Sequence, residues 1–184
     1  SESMTKEDVK RSKLSPDGLM QMVMQLAHFR AHGYTPSTYE SASTAGFKHG
    51  RTETIRSATP EAVAMCKTFM DASATEEAKF NALKTATERH AKTTRDCLMG
   101  QGVDRHLFAL EKWCERLGMS KPALFSDAGW ATMKDIRLST STLASPALDG
   151  GGFGPVSRTS FGVGYGIEAR GAQFHVTSYG QGNK

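Results

Sequence analysis

No apolar run in this sequence approaches the roughly eighteen residues that a membrane-crossing helix needs, which excludes a helical membrane span here. The first residues, SESMTKEDVKRSK, lack the apolar core of a signal peptide, so targeting information is expected outside them. Cysteine is scarce: Cys66, Cys97 and Cys114 are odd in number, far apart, and form no C-x-x-C pair. They read as reduced thiols in helix packing, which fits a reducing compartment. No basic stripe interleaved with aromatics is present, which argues against nucleic acid as a partner. A G-x-S-x-G elbow is also missing, and no histidine and acid are evident to activate a serine, so a serine nucleophile is rejected. There is no internal repeat and no low-complexity tract.

What remains is a globular composition. The 184 residues are 38% hydrophobic and 23% charged, enough for one sizeable domain whose core needs no disulfide or metal. A net charge of +4 favours phosphate-bearing partners mildly. The chain opens without an initiator methionine and stops at Gly180-Gln181-Gly182-Asn183-Lys184 directly after a strand pattern, so it is expected to be partial.

The stretch Ser37 to Arg56, STYESASTAGFKHGRTETIR, fits neither a packed helix nor an ordinary surface loop. It crowds the hydroxyls of Tyr39, Ser41, Ser43, Thr44, Thr52 and Thr54 among Arg51, Arg56, Lys48 and His49. Hydroxyls and guanidiniums both donate, and an arginine fork matches a carboxylate in two bonds, so the stretch suits a small anionic group. A Ser/Thr-rich connection whose hydroxyls cap turns is the plainer alternative.

Helix signals surround it. Ser15-Pro16 caps and opens a helix to about His32, with Gly33 as a left-handed stop. Leu19, Met20, Met22, Val23, Met24, Leu26, Ala27 and Phe29 leave it almost no polar face, as in a buried central helix. His28 and His32 have helical spacing but no third ligand nearby, so no metal is expected. Thr59-Pro60-Glu61 opens a short helix to about Phe69. Thr75-Glu76-Glu77 opens a longer one to Gly100, with Phe80, Leu83, Ala86 or Thr87, His90, Thr94 and Cys97 or Leu98 on its buried stripe. His90 is expected to be satisfied by a neighbouring hydroxyl. Asp104 is expected to cap another helix, with Leu107, Leu110, Trp113 or Cys114, and Leu117 on one face and Gly118 as its stop. Arg105 then sits in the first turn, where the macrodipole gives no reason for a cation, so an anionic partner is expected. Lys6 and Lys10 are four apart and present two ammonium groups to one side, suiting a phosphate, or else form a solvated end.

From Asp135 the period changes to two. In DIRLSTST, Ile136, Leu138, Thr140 and Thr142 point one way, and Arg137, Ser139 and Ser141 the other. A serine hydroxyl facing a reaction centre can donate to the oxyanion of a tetrahedral intermediate, a contribution of about 2.7–4 kcal/mol. Gly150-Gly151-Gly152-Phe153 reads as a flexible connection or a place where backbone must leave space. Phe161, Val163, Tyr165 and Ile167 then alternate with Gly162, Gly164 and Gly166. A turn at Arg170-Gly171 leads to Phe174, Val176 and Ser178, giving a hairpin with one apolar and one bare face. The glycines lie inside a strand pattern with no helix after them, which argues against a nucleotide loop. Helices followed by three or four strands imply an α+β unit with a mixed or antiparallel sheet, 1–134 mainly helical and 135–184 in strands.

Thr38-Tyr39-Glu40-Ser41, Gly50-Arg51-Thr52-Glu53-Thr54-Ile55-Arg56, Lys13-Leu14-Ser15-Pro16-Asp17, G-x-D-R-H-L from Gly102 and Ser139-Thr140-Ser141 together resemble the choline/carnitine O-acyltransferase family. The resemblance covers nearly the whole chain and is weakest between Lys67 and Arg95. It implies the carboxyl-terminal half of a two-domain chloramphenicol acetyltransferase-like fold, and acyl transfer between coenzyme A and carnitine, both as substrates, with no further cofactor. By position it implies that Tyr39, Ser41, Thr52 and Arg105 hold the carnitine carboxylate, with Gly102, Asp104 and His106 in support. Choline-specific relatives typically carry a non-hydroxyl residue at the Thr52 position. Lys6, Lys10 and Asp17 match the coenzyme A site, Ser141 the oxyanion donor, and Ser139 a polar contact beside carnitine. Gly151 and Gly152 imply an open acyl tunnel for a medium or long chain. Phe153 implies a ring face for the trimethylammonium, or else a core phenylalanine. The family's general base is a histidine of an H-x-x-x-D motif in the amino-terminal half, and no histidine here is followed four residues later by Asp. That missing half is therefore an implied partner, together with peripheral membrane contact through it. The implied location is mitochondrial, on the matrix side of the inner membrane. A noncatalytic fragment binding carnitine or acyl-CoA, and a choline acyltransferase, are the alternatives.

Overall fold

In the computed structural model, residues 5–142, 148, 150–168 and 171–180 are described. The loop at Ser145-Pro146, the turn residue Arg170 and the final Gln181–Lys184 lie outside them. Thr5 closes a capping box on α1 (Lys6–Arg11), its side chain and backbone exchanging bonds with Asp8. α2 (Pro16–His32) starts on the Ser15 cap and ends at Gly33, whose φ of 79° is the left-handed stop expected. α3 (Pro60–Met70) and α4 (Glu76–Leu98) begin on the hydroxyl caps of Thr59 and Thr75.

α2 has little polar face because it is covered on two sides. Met20 and Met24 pack on the sheet with Leu138, Val163 and Tyr165. Met22 packs with Ala62, Met65, Cys66 and Ala86 of α3 and α4. Burying such a methionine stabilises the fold by about 1.5–3 kcal/mol relative to exposure. The two glutamines of α2, Gln21 and Gln25, are fully buried and hydrogen-bonded to Thr140 and Thr38. Cys66 and Cys97 are buried free thiols, as expected.

The strands depart from the expected order. Ser37 to Arg56 contains β1 (Thr38–Ser43) and β2 (Thr52–Ile55), an antiparallel pair lying between helices in sequence. Polar residues on both faces concealed the two-residue period. With β3 (Leu138–Thr142), β4 (Phe161–Glu168) and β5 (Gly171–Thr177) they make a five-stranded mixed sheet, ordered β2-β1-β3-β4-β5. β1, β3 and β4 run parallel, and β2 and β5 are antiparallel edges.

α5 (Asp104–Arg116) also differs. Its cap position is Val103, and Asp104 is its first helical residue, with the carboxylate turned away to β2. Its apolar face is only partly covered: Leu107 and Cys114 are half-buried, while Leu110, Trp113 and Leu117 are exposed. Phe80, expected on the buried stripe of α4, is exposed too. A short 3₁₀ turn (Ala123–Ser126) and α6 (Ala128–Lys134) lead into β3.

Register sorts the sheet into two faces. Leu138, Thr140, Val163, Tyr165 and Ala172 meet the helices, while Ser139, Ser141, Gly162 and Gly164 share the other side. The bare glycine face is used: a Cβ on Gly164 would stand 2.1 Å from the Gly151 carbonyl oxygen, and one on Gly162 would stand 2.5 Å from that of Phe153. The 151–154 segment is a strap lying directly on β4, held by the Thr177 hydroxyl on the Phe153 carbonyl. Gly164→Ala is expected to cost about 1–3 kcal/mol of unfolding free energy. Gly166→Ala, whose Cβ would enter open space, is expected to stabilise by about 0.4–1 kcal/mol. Denaturant unfolding of the two variants tests the strap by the opposite signs.

Candidate functional site

β1 alternates by necessity. Thr38, Glu40 and Ala42 are buried toward the helices, leaving Tyr39 and Ser41 on the opposite face. Tyr39 is in register with Ser139 of β3, and Ser43 and Ser41 with Thr52 and Thr54 of β2. The hydroxyls of Tyr39, Ser41, Thr52, Ser139 and Ser141 therefore share one sheet face with the glycine strap.

Arg105 reaches this face from α5. Its guanidinium donates to the Tyr39 hydroxyl at 3.2 Å, to the Thr52 hydroxyl at 3.4 Å and to the Thr52 carbonyl at 3.3 Å. No carboxylate of the described residues lies within salt-bridge distance of it, so the plain ion-pair explanation for its position fails. The start of α5 is fixed from beneath. The Arg105 backbone N–H donates to Glu53, and Gly102 leaves room for that carboxylate, since a Cβ there would fall 2.2 Å from Glu53 Cγ. Asp104 accepts from Thr54 at 3.0 Å and from Arg56 Nε at 3.1 Å and, more closely, Nη2. Burial alone would raise the Asp104 pKa, but the Arg56 hydrogen bond and charge outweigh it and hold the carboxyl below its ordinary value.

Ser139 is buried and Ser141 half-buried in the middle of the face. Gly162 and Gly164, their register partners, carry the strap, so Gly151, Gly152 and Phe153 pass beside the two serines. Phe153 is half-buried and Gly152 exposed.

The residues matched to coenzyme A are not drawn into this cluster. Lys6 and Lys10 are exposed on α1, which packs through Val9 onto α2 in the helical layer. Asp17 accepts the Tyr165 hydroxyl at 2.7 Å and meets neither lysine in a salt bridge. His90, expected against a hydroxyl, is bonded through Nε2 to the Glu40 carboxylate at 2.8 Å. Glu40, Gln21 and Tyr165 were not singled out from the sequence. Two signals were there: glutamines four apart in an otherwise apolar helix, and a glutamate between Tyr39 and Ser41 that strand alternation sends to the buried side.

The profile of the Choline/Carnitine o-acyltransferase family matches residues 1–184. The chain belongs to this family. It is 44% identical over 176 residues to mitochondrial carnitine O-palmitoyltransferase 2 of Xenopus tropicalis, covering 95% of this chain and 27% of that protein. The Homo sapiens protein of the same name is 42% identical over 180 residues, with the same shares covered. Choline O-acetyltransferase of Danio rerio is 37% identical over 175 residues, covering 95% of this chain and 28% of that relative. The chain thus spans roughly a quarter of the length of these relatives. No helix among the described residues is long and apolar enough to cross a membrane.

The Asp104 clamp makes a pH prediction. A carboxyl whose folded pKa is depressed adds stability that is complete above its unfolded value and lost as pH falls through the folded one. Asp104→Asn is expected to cost about 1–3 kcal/mol near neutral pH. The difference from wild type should stay constant above about pH 5 and shrink below about pH 4. Urea titrations at a series of acid pH values check it, and a pH-independent difference would contradict the clamp.

Proposed function

We propose that this chain supplies the carnitine carboxylate clamp, the oxyanion hydroxyl and part of the coenzyme A site of a carnitine O-acyltransferase with a medium- or long-chain, palmitoyl-type acyl group. The observation that carries the reading is Arg105: a guanidinium with no carboxylate partner among the described residues, braced on the hydroxyls of Tyr39 and Thr52. Such a cluster has spare donors, and a bidentate carboxylate is the anion that fits an arginine fork. Ser41 is exposed beside it on the same strand face. Choline has no carboxylate to offer, so Thr52 inside this cluster favours carnitine over choline.

Ser139 and Ser141 lie one strand inward from the clamp, where the hydroxyl of a clamped carnitine would be presented. Ser141, the more open of the two, donates to the oxyanion that forms when this hydroxyl attacks the thioester carbonyl. The carnitine proton goes to a histidine supplied outside these residues, and the thiolate of coenzyme A leaves and takes a proton from it. Carnitine oxygen replaces sulfur on the acyl carbon, and no acyl-enzyme is formed. Lys6, Lys10 and Asp17 serve the phosphate-bearing end of coenzyme A. Gly151 and Gly152 keep the strap thin beside the serines, where the acyl chain would otherwise meet bulk, and Phe153 offers a ring to the trimethylammonium. The mitochondrial names of the relatives support the same compartment here.

Palmitoyl transfer from palmitoyl-CoA to carnitine is measured with the 184-residue chain and with the product of the complete reading frame. Activity is expected only in the longer product. Within it, Arg105→Leu is expected to raise the KM for carnitine about 10- to 100-fold with little change for palmitoyl-CoA. Ser141→Ala is expected to lower kcat about 100- to 1,000-fold. Activity of the short chain would overturn the division of labour. An Arg105 variant with unchanged carnitine KM would overturn the clamp. Binding of carnitine and palmitoyl-CoA by the longer product without turnover would favour a noncatalytic binding protein.

A further inference from the structure

Behind the clamp, on the helical side of the sheet, a buried polar network has no part in the reading above. Glu40 stands between Tyr39 and Ser41 on β1, with its carboxylate pointing inward and 6% exposed. It accepts from His90 Nε2 at 2.8 Å, and the hydroxyls of Ser57 and Tyr165 lie 3.3 Å and 3.4 Å from it, each with a nearer acceptor in Gln21 and Asp17. Tyr165 donates to Asp17 at 2.7 Å and accepts from Gln21 at 3.1 Å. His90 on α4 is 2% exposed, and its second nitrogen, Nδ1, is buried without a hydrogen-bond partner among the described residues. Asp17 Oδ2 lies 4.0 Å from that nitrogen. An orphaned buried nitrogen is rare enough to need a reason.

We propose that His90 is a positioning residue whose two ring nitrogens tie the clamp strand, through Glu40, to the coenzyme A end of α2, through Asp17. The proposal rests on the functional reading given above. Nε2 holds β1 from behind, and with it the spacing of Tyr39 and Ser41 from Arg105. Nδ1 waits for Asp17, whose side chain is the movable partner: it is 39% exposed, against 2% for His90 and 6% for Glu40. A shift of about 1 Å brings the 4.0 Å gap into hydrogen-bond range. A coenzyme A moiety settling at the start of α2 can draw Asp17 into that range, and the same imidazole then stiffens β1. Burial alone lowers the His90 pKa, but the Glu40 hydrogen bond and the charges of Glu40 and Asp17 outweigh it and raise it, which favours an imidazolium donating from both nitrogens.

The test uses His90→Gln and His90→Leu in the product of the complete reading frame. A glutamine amide can still donate to Glu40 but puts nothing in the place of Nδ1. His90→Leu is expected to raise the KM for carnitine and for acyl-CoA, each roughly 5- to 50-fold. His90→Gln is expected to restore the carnitine KM and leave the acyl-CoA KM raised. Asp17→Asn should raise the acyl-CoA KM by a smaller factor in the His90→Gln background than in the wild type, because the two changes share one contact, and an equal factor in both backgrounds would overturn the proposal. A purely structural histidine would move both constants together, and equal effects in His90→Gln, or none, overturn the proposal. His90→Gln carries the test by itself if His90→Leu fails to fold. Absence of carnitine transfer in the wild-type product would strike the functional reading, whereas transfer without the split in KM strikes only the role of His90.

Discussion

Everything on the exposed face depends on keeping one carboxylate out of it. Glu40 occupies the central position of β1, and strand geometry allows its side chain only one of two sides. On the outer side it would stand between Tyr39 and Ser41 and offer Arg105 an intramolecular anion. On the inner side it is buried, and an isolated buried carboxylate costs several kcal/mol. Burial, and the neighbouring carboxyl of Asp17 to a lesser degree, push the Glu40 pKa up, opposed by the His90 hydrogen bond and charge. The bond from His90, with the hydroxyls of Ser57 and Tyr165 close by, makes the inner position tenable. α2 and α4 are thus supports for the register of β1 as well as core. His90 sits on α4 and Gln21 on α2, and both helices must be seated before the strand can be polar on its two sides.

The sheet then works as a wall between two chemistries. Toward the helices it presents Leu138, Val163 and Tyr165 against methionines that adapt to an irregular surface. On the other side it presents hydroxyls and bare glycines. Parallel pairing of β1, β3 and β4 puts Tyr39 beside Ser139 and Ser139 beside Gly162, so the clamp, the serines and the strap follow one another across three strands. An antiparallel β3 would have brought different residues side by side.

The starts of α2, α3 and α4 were legible because caps are local. Ser15-Pro16, Thr59-Pro60 and Thr75 start helices where the sequence says, and Gly33 ends α2 in the conformation that only its missing Cβ makes cheap. The α+β class was legible for a similar reason, since the change of period at Asp135 is plain, though it left a mixed and an antiparallel sheet both open. β1 and β2 were not, because alternation shows as hydrophobicity only where one face is apolar, and here Thr38 and Glu40 are buried by hydrogen bonds. Asp104 misled because an aspartate before a helix is a good cap, and nothing local tells that Arg56 and Thr54 outbid the helix for its carboxylate. The hydroxyls of the clamp could be picked out by kind, but their convergence with Arg105 depends on the pairing of β1 with β2, which no local pattern carries.

The availability of the Arg105 charge follows from how its neighbours are occupied. Among the described residues three acids lie close in sequence or space, and each is already engaged: Asp104 by Arg56 and Thr54, Glu53 by backbone N–H groups, and Glu40 beneath the strand. Removing the Arg56 bond would free Asp104, one residue from Arg105, to compete for the guanidinium. Arg56 therefore protects the clamp by holding an acid away from it, and its effect on the site is exerted without touching any of the clamp residues. On the reading proposed above, an anion arriving from solvent would find donors already gathered and a cation with no carboxylate among the described residues to give up, which is the condition under which a charge-assisted pair contributes its full strength.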